Sequence, residues 1–446
     1  MRHNGRRSGL RGRVQRRLAA VVGIALTAAA LALAVGASRG ASNGSPCATR
    51  VTPGTGALAI AGAIVAARDG STVCFASGRY PFIRIVGATH RAYVTIRPLA
   101  GARVSVAGIE AQDSSFLRFR RLRMTEGFNM RDTTTYPGSH DYQFIDNAFA
   151  QPLYGIVLDG GAGPIRRVLI EGNRMHRVHL AQPEVQGRCS AGYAQGQDVT
   201  IVFADGVTIA HNVFNEAAWH YIQGGGAGPQ GVDVEHNLFE GHVTLACSHL
   251  NLWQIWNGGV NDTFKDNIAI GEGSGERHGL SEEAATDGLI FENGPGSAQC
   301  ATTMRNTVIE NNLFVDAASS YAIQIYSTQG VRITGNTVVK SQYGSGLLVA
   351  GCPASTDATM THNINVQNTA RSAAFSFDCA ADCLFDENVS DDETARGFGA
   401  GRYKVAWRPK WFSTRWKPST EPTPPRGFYI ARRLPFATGY RGGGGP

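Results

Sequence analysis

Through the middle of the chain, apolar and polar residues alternate over short runs, and run after run ends at an asparagine followed by more apolar residues. The pattern apolar-x-apolar-x-x-Asn-x-apolar, with substitutions, occurs as FIDNAF at Asn147, LIEGNRM at Asn173 and VTIAHNVF at Asn212. It returns as VDVEHNLF at Asn237, TFKDNIAI at Asn267 and VIENNLF at Asn312, then as VRITGNTV at Asn336, MTHNINV at Asn363 and LFDENV at Asn388. Alternation of period two puts the apolar residues of each run on one face of a strand. The asparagine falls where the chain turns. A strand recurring with one turn residue predicts stacked coils, in which each asparagine amide bonds backbone of its turn and the amides above and below it.

The asparagines are separated by 26, 39, 25, 30, 45, 24, 27 and 25 residues, so the coil period is about 25. A second strand follows the asparagine in YGIVL (154–158), YAIQIY (321–326) and GLLVAG (346–351). Upstream, FIRIVG (82–87), YVTIRP (93–98), VSVAG (104–108) and FLRFRRLRM (116–124) read as earlier coils without the asparagine. Residues 54–68 have helical composition and predict a short cap over the first coil, because a solenoid must cover its open ends. The expected fold class is all-β: a single right-handed parallel β-helix over 45–395, with that N-terminal cap helix and an irregular, basic Trp/Pro/Gly-rich tail over 396–446. The 55 glycines agree with a chain of many turns.

Charge divides the chain. The formal net charge is +7, yet residues 1–40 hold eight arginines and residues 400–446 hold ten basic residues and one acid. Of totals of 42 basic and 35 acidic residues, 24 and 34 remain in 41–399, a net of −10 for the body. An acidic body argues against nucleic acid as a partner. Arg2–Arg17 followed by the uncharged run Leu18–Ala37 reads as an export signal cleaved near Ala34 or Ala37, or as a membrane anchor if it stays. Either way the β-helix lies outside the cell, secreted or anchored through 18–37, and is expected to be a monomer. Eight cysteines in an exported chain favour disulfides over metal, and Cys47–Cys74 is the pairing expected, tying down the N-terminal end. The other connectivities stay open.

Three of the four intervals from Asn173 to Asn312 exceed the base period. Long loops on neighbouring coils lie side by side, which is where solenoids build sites. Residues 173–312 also hold eight of the twelve histidines and three of the six tryptophans. Stacking by register places Lys265 between Glu235 and Glu310, with His236 and Asp266 alongside; a solvated, salt-bridged face is the competing reading. A second cluster is His249-Leu-Asn251-Leu-Trp253-Gln254. Trp219, His220, Asn251, Trp253 and Trp256 are candidates to contact sugar, whose rings stack on aromatic faces and whose hydroxyls bond polar groups. The acid-rich loop 271–287 offers Glu272, Glu276 and Glu283 as oxygen ligands for Ca²⁺.

From about residue 50 to 395 the chain resembles the pectate-lyase-like superfamily of right-handed parallel β-helices, on its coil period and its asparagine ladder. Characterised members of that superfamily are mostly polysaccharide lyases, glycoside hydrolases and uronate epimerases, with adhesins and tailspikes among the rest. The resemblance implies fold more than function. The W-x-D-H and R-x-P-x-x-R elements of pectate lyases are absent, as are the N-T-D, G-H-G and R-I-K elements of polygalacturonase-like hydrolases, which leaves a hydrolase without its paired carboxylates. A lyase needs one base beside a uronate carboxylate and a cation to neutralise that carboxylate. Lys265, His236 or His249 is the candidate base, and Arg277 or Ca²⁺ the candidate neutraliser. The expected function is an extracellular carbohydrate-active β-helix protein acting on polysaccharide, as a lyase of uronate polymers by β-elimination; a non-catalytic surface or carbohydrate-binding protein is the alternative.

Overall fold

The computed structural model describes residues 46–390, except 134–137, 151, 153, 162, 177, 179–196, 218–219, 225–229, 242–249, 257–258, 271–285, 293–303, 316–321, 340–344, 350–354, 367–374, 378 and 387. Within them the chain is a single parallel β-solenoid with one short helix, as the asparagine spacing predicts. Each coil of the asparagine region supplies three short strands. The first joins a thirteen-stranded sheet that runs from Thr49–Val51 to Leu384–Asp386. The second follows the asparagine, as in Arg174–His176 and Val213–Asn215, and the third follows a longer connection, as in Val199–Ile201 and Ile222–Gly224. These faces are called the first, second and third sheets below.

The second and third sheets share two long strands, Val104–Gln112 and Arg123–Arg131, each of which pairs with neighbours in both. The hydrogen-bond ladder closes on itself there, but the two faces are arms of one bent coil. Gly127 sits at the bend with φ +119, and a Cβ on it would lie 2.1 Å from the Tyr154 carbonyl oxygen of the next coil. Only glycine lets the coils approach so closely. The run 116–124, read from the sequence as one piece, belongs to two strands: Ser115–Arg120 and Arg123–Arg131 flank a turn at Arg121, where φ is +56. Leu122 occupies the ladder position in that coil. It has no amide to offer, so the ladder begins one coil later.

From Asn147 to Asn388 the asparagines stack as predicted. Asn147 Nδ2 donates to Asn173 Oδ1 at 3.0 Å and to the Phe119 carbonyl at 3.0 Å, and its backbone N–H reaches the same Asn173 Oδ1 at 3.0 Å. The motif repeats coil by coil to Asn363, which donates to Asn388 Oδ1 at 2.9 Å. Each buried amide thereby satisfies itself and one backbone N–H of the coil before it, the condition for a polar group to be tolerated in an apolar interior. Around the ladder, apolar columns fill the core. Phe119 stacks on Phe144 at 5.6 Å between ring centres, and Phe214 on Phe239 at 4.7 Å.

The residue before each asparagine has a constraint of its own. Asp146, His211, His236, Asp266, Asn311 and His362 all have φ between 54° and 62°, and Gly172 and Gly335 hold the same place in their coils. This is the left-handed region, which glycine, asparagine, aspartate and histidine enter most readily among the residues. The corner thus selects these types before any function does.

The helix Ala57–Val65 covers the N-terminal end, burying Ile60, Ala61 and Ile64. His90, itself buried, places Nε2 3.2 Å from the Ile64 carbonyl. The Cys47–Cys74 disulfide forms as expected, and Cys379–Cys383 is a second. The export segment 1–40, including the apolar run 18–37, and the tail 396–446 lie outside the described residues. Among the described residues no helix is long and apolar enough to cross a membrane.

Candidate functional site

The corner between the first and second sheets carries ionisable groups. Register pairs Glu171 with Ala210, Ala210 with Glu235, Glu235 with Lys265 and Lys265 with Glu310, in the order read from the asparagine spacing. Lys265 Nζ lies 2.9 Å from Glu235 Oε2. Glu310 turns the other way and meets Arg332 at 3.1 Å. The hydrogen bond and charge of Glu235 hold the Lys265 ammonium above the usual lysine range, so it is a cation at neutral pH. It therefore suits the neutralising role better than the basic one.

His236 lies on the left-handed corner beside it. Its Nε2 is 3.6 Å from Asp266 Oδ2 and its Nδ1 is 3.9 Å from Glu235 Oε2. Its ring stacks on that of His211 at 5.1 Å. Asp266 is in turn bonded by the Asn311 side-chain amide. Two carboxylates thus flank one imidazole, an arrangement that orients the ring. Lys265 and His236 are partly exposed and adjacent on a rigid frame.

A second set sits on the third sheet and is chemically different. Gln223, Gln254 and Gln324 point away from the core yet are buried, and register aligns Gln223 with Gln254 and Ile290 with Gln324. Gln197 donates from Nε2 to Gln223 Oε1, and Thr200 Oγ1 donates to Gln197 Oε1 at 3.1 Å. The Asn251 backbone N–H donates to His220 Nδ1 at 3.0 Å, so that nitrogen is an acceptor and the neutral ring carries its proton on Nε2. Beside them Asp198 is fully buried, with neither carboxyl oxygen hydrogen-bonded among the described residues. Burial pushes its pKa well above the ordinary carboxylate value. This row offers neutral donors and acceptors, the complement of hydroxyl groups.

The residues expected to act together are thus divided. His236 and Lys265 share the corner, whereas His220, Asn251 and Trp253 belong to the third sheet. Trp253, expected on a sugar-binding face, is fully buried and packs its ring 6.0 Å from Phe264. It alternates with Gln254, so when the glutamine faces outward the tryptophan must face the core. Trp256 ends the strand Leu250–Trp256, and its side chain lies outside the described part. Trp219, His249, Arg277, Glu272, Glu276 and Glu283 also lie outside the described residues. The expectations of a Ca²⁺ loop and of Arg277 as neutraliser concern residues outside the described part; among the described residues no group of three potential ligands converges. Of the glutamine column, Gln254 and Gln324 are expected from the sequence as a structural stack capping coils, whereas Gln223 escapes it, although IQG, WQIW and IQIY share an apolar-Gln-x pattern at matching places in their coils.

Fold and stacking define a parallel β-helix protein with polar and charged residues displayed along its coils. No family model matches the chain, and no curated protein matches it. Among solved structures it is similar to PfbA, a surface adhesin of Streptococcus pneumoniae, at 11% identity and a TM-score of 0.50, over 75% of this chain and 90% of that one. It also aligns with the alginate lyase AlyF-OU02 in complex with G6, at 15% identity and 0.40, over 77% and 87% of the two chains. The A-module of the mannuronan C-5 epimerase AlgE6 of Azotobacter vinelandii aligns at 15% and 0.41, over 75% and 94%. At these identities the likeness to PfbA is one of fold, and the two lower scores add nothing to it.

Proposed function

We propose that the protein is an extracellular carbohydrate-active β-helix that engages a uronate polymer at the coils between Asn173 and Asn312 and cleaves it by β-elimination. The observation that carries this reading is the adjacency of His236 and Lys265 on one partly exposed corner. The Lys265 ammonium pairs with the substrate carboxylate, which acidifies the proton on the adjacent carbon. His236 takes that proton; the electron pair forms the new carbon–carbon double bond, and the glycosidic oxygen leaves and is protonated from water. The loop 271–287, with Arg277 and with Glu272, Glu276 and Glu283 as Ca²⁺ ligands, is assigned the second neutralising charge. The glutamine row is assigned to hydroxyl recognition.

A second reading, a non-catalytic carbohydrate-binding surface protein, is favoured by one observation: Glu235 already neutralises Lys265. The test is absorbance at the unsaturated-uronate band on a panel of polysaccharides, with and without Ca²⁺. A lyase raises the absorbance on at least one uronate polymer. Lys265→Ala and His236→Asn should each lower that rate at least ~100-fold, in the range general-base and charge-stabilising groups supply. Asparagine is chosen because it tolerates the left-handed backbone of residue 236. No signal on any uronate polymer, or full activity in both variants, leaves the binding reading.

A further inference from the structure

At the N-terminal end of the first sheet, five coils before Lys265, the outer face changes sign. The strands Thr89–Pro98, Ser115–Arg120 and His140–Ile145 are adjacent there, and register aligns Thr95 with Arg118 and Arg118 with Gln143. Arg97, Arg118 and Arg120 point outward from this face. Arg120 and Arg121 share a single carboxylate, Asp146, at 3.4 and 3.7 Å. Of the other carboxylates at this end, Asp141 is held by Arg167 Nε at 3.1 Å and by His140 Nδ1 at 2.7 Å, and Asp69 lies 3.5 Å from His90 Nδ1. The acids are committed, and the arginines outnumber them.

Arg118 is the group that asks for a ligand. It is half-buried, its Nε donates to Gln143 Oε1 at 2.6 Å, and its guanidinium lies 4.6 Å from the centre of the Tyr93 ring. No carboxylate pairs with it among the described residues. Burial, with the like charge of Arg120 adding to it, pushes its pKa below the ordinary arginine value. A desolvated cation held by an amide oxygen and an aromatic face is positioned but not neutralised. Next to it stands a strip of partly exposed rings: Tyr93 and Phe116 at 5.6 Å, and Phe116 and His140 at 5.2 Å, both edge to face. Phe116 keeps φ +54, a conformation that is rare for a bulky side chain and persists only where its surroundings hold it.

We propose that this face is a separate binding site for the carboxylates of an acidic sugar chain, with Arg118 and Arg120 as anion contacts and the Phe116 strip as an apolar wall beside them. It stands whether or not the chain cleaves sugar: it lies five coil spacings, about 24 Å, from Lys265 along the first sheet. Arginine's planar donor fork fits a carboxylate bidentately, and an aromatic edge accepts the apolar face of a pyranose. A uronate chain suits the patch better than a nucleic acid. Duplex DNA carries one charge per ~1.7 Å and needs an extended basic track, whereas Arg97, Arg118 and Arg120 sit on two adjacent strands.

The test is equilibrium binding of the full chain to polygalacturonate, to neutral galactan and to a short DNA duplex at low and moderate salt. Polygalacturonate should bind and galactan should not, with affinity falling as salt rises. The double variant Arg118→Gln/Arg120→Gln should bind polygalacturonate at least ~10-fold more weakly, the loss of one or two charge-assisted contacts. Arg118→Lys/Arg120→Lys should lose less affinity than the glutamine variant, because it keeps both charges while giving up the planar fork. Unchanged binding in the glutamine variant overturns the proposal. So does equal loss in both variants with a matching fall in Tm, which would make the arginines structural, and so does DNA binding as tight as polygalacturonate. Absorbance at the unsaturated-uronate band is followed in the same samples, so binding without cleavage separates this site from the lyase reading.

Discussion

Asp262 shows how one residue departs from its column. The inward position it occupies is held by Val168, Val207 and Val232 in the preceding coils. One oxygen accepts the Val232 backbone N–H at 2.9 Å, as a ladder asparagine would, and the other has no partner among the described residues. Burial pushes its pKa up to about 8. An acid that is neutral when folded and ionised when unfolded favours the folded state fully below about pH 4, and that contribution is lost as pH rises toward 8. Asp198 acts in the same direction. Thermal melts should therefore show Tm falling from pH 5 to pH 8, and Asp262→Asn should fall less, because its amide never ionises and can donate as well. An equal slope in variant and native chain would show that Asp262 does not bind a proton on folding. The corner residues teach a related lesson. His211, His236 and Asp266 were legible as a row, but the left-handed backbone that selects their residue types was not, since φ is a property of the folded coil.

At the scale of elements, the N-terminal end depends on two devices, the helix Ala57–Val65 and the Cys47–Cys74 disulfide. The helix presents Ile60 and Ile64 to the first coils and leaves Leu58 in solvent, so it acts as a lid with one apolar side. The disulfide spans 27 residues and ties the strand Thr49–Val51 to its neighbour Thr72–Phe75. By the loop-entropy relation its removal should cost about 3–4 kcal/mol. Cys47→Ser/Cys74→Ser should lower the denaturant midpoint accordingly, and a midpoint unchanged from the native chain would show that the helix alone suffices. Strand positions such as 93–98 were legible because alternation reports burial directly. The turn at Arg121–Leu122 was not. Two consecutive arginines, Arg120 and Arg121, shift the alternation of 116–124 by one residue, and the parallel pairing with two separate neighbours shows that this shift is a turn.

Over the whole molecule, each coil packs on its two neighbours, so stability accumulates toward the middle and declines toward the ends. Amide hydrogen exchange should be slowest in the central coils, near the Phe214–Phe239 stack, and faster in the last coils near Leu384–Asp386, whose strand is exposed. Uniform protection from end to end would mean that the coils unfold as one cooperative unit. The asparagine repeat alone determined that the chain is a solenoid, where its coils lie and which residues neighbour one another along it, because a ladder of identical amides forces one register on every coil. It also determined that Lys265 stands beside Glu235. The tertiary structure decided which neighbours pair: Lys265 with Glu235, Glu310 with Arg332, Arg118 with no carboxylate among the described residues. It decided as well that Trp253 is core and Gln254 is not. Register is periodic and therefore written in sequence; burial, rotamer and desolvation depend on what the rest of the fold brings to each position.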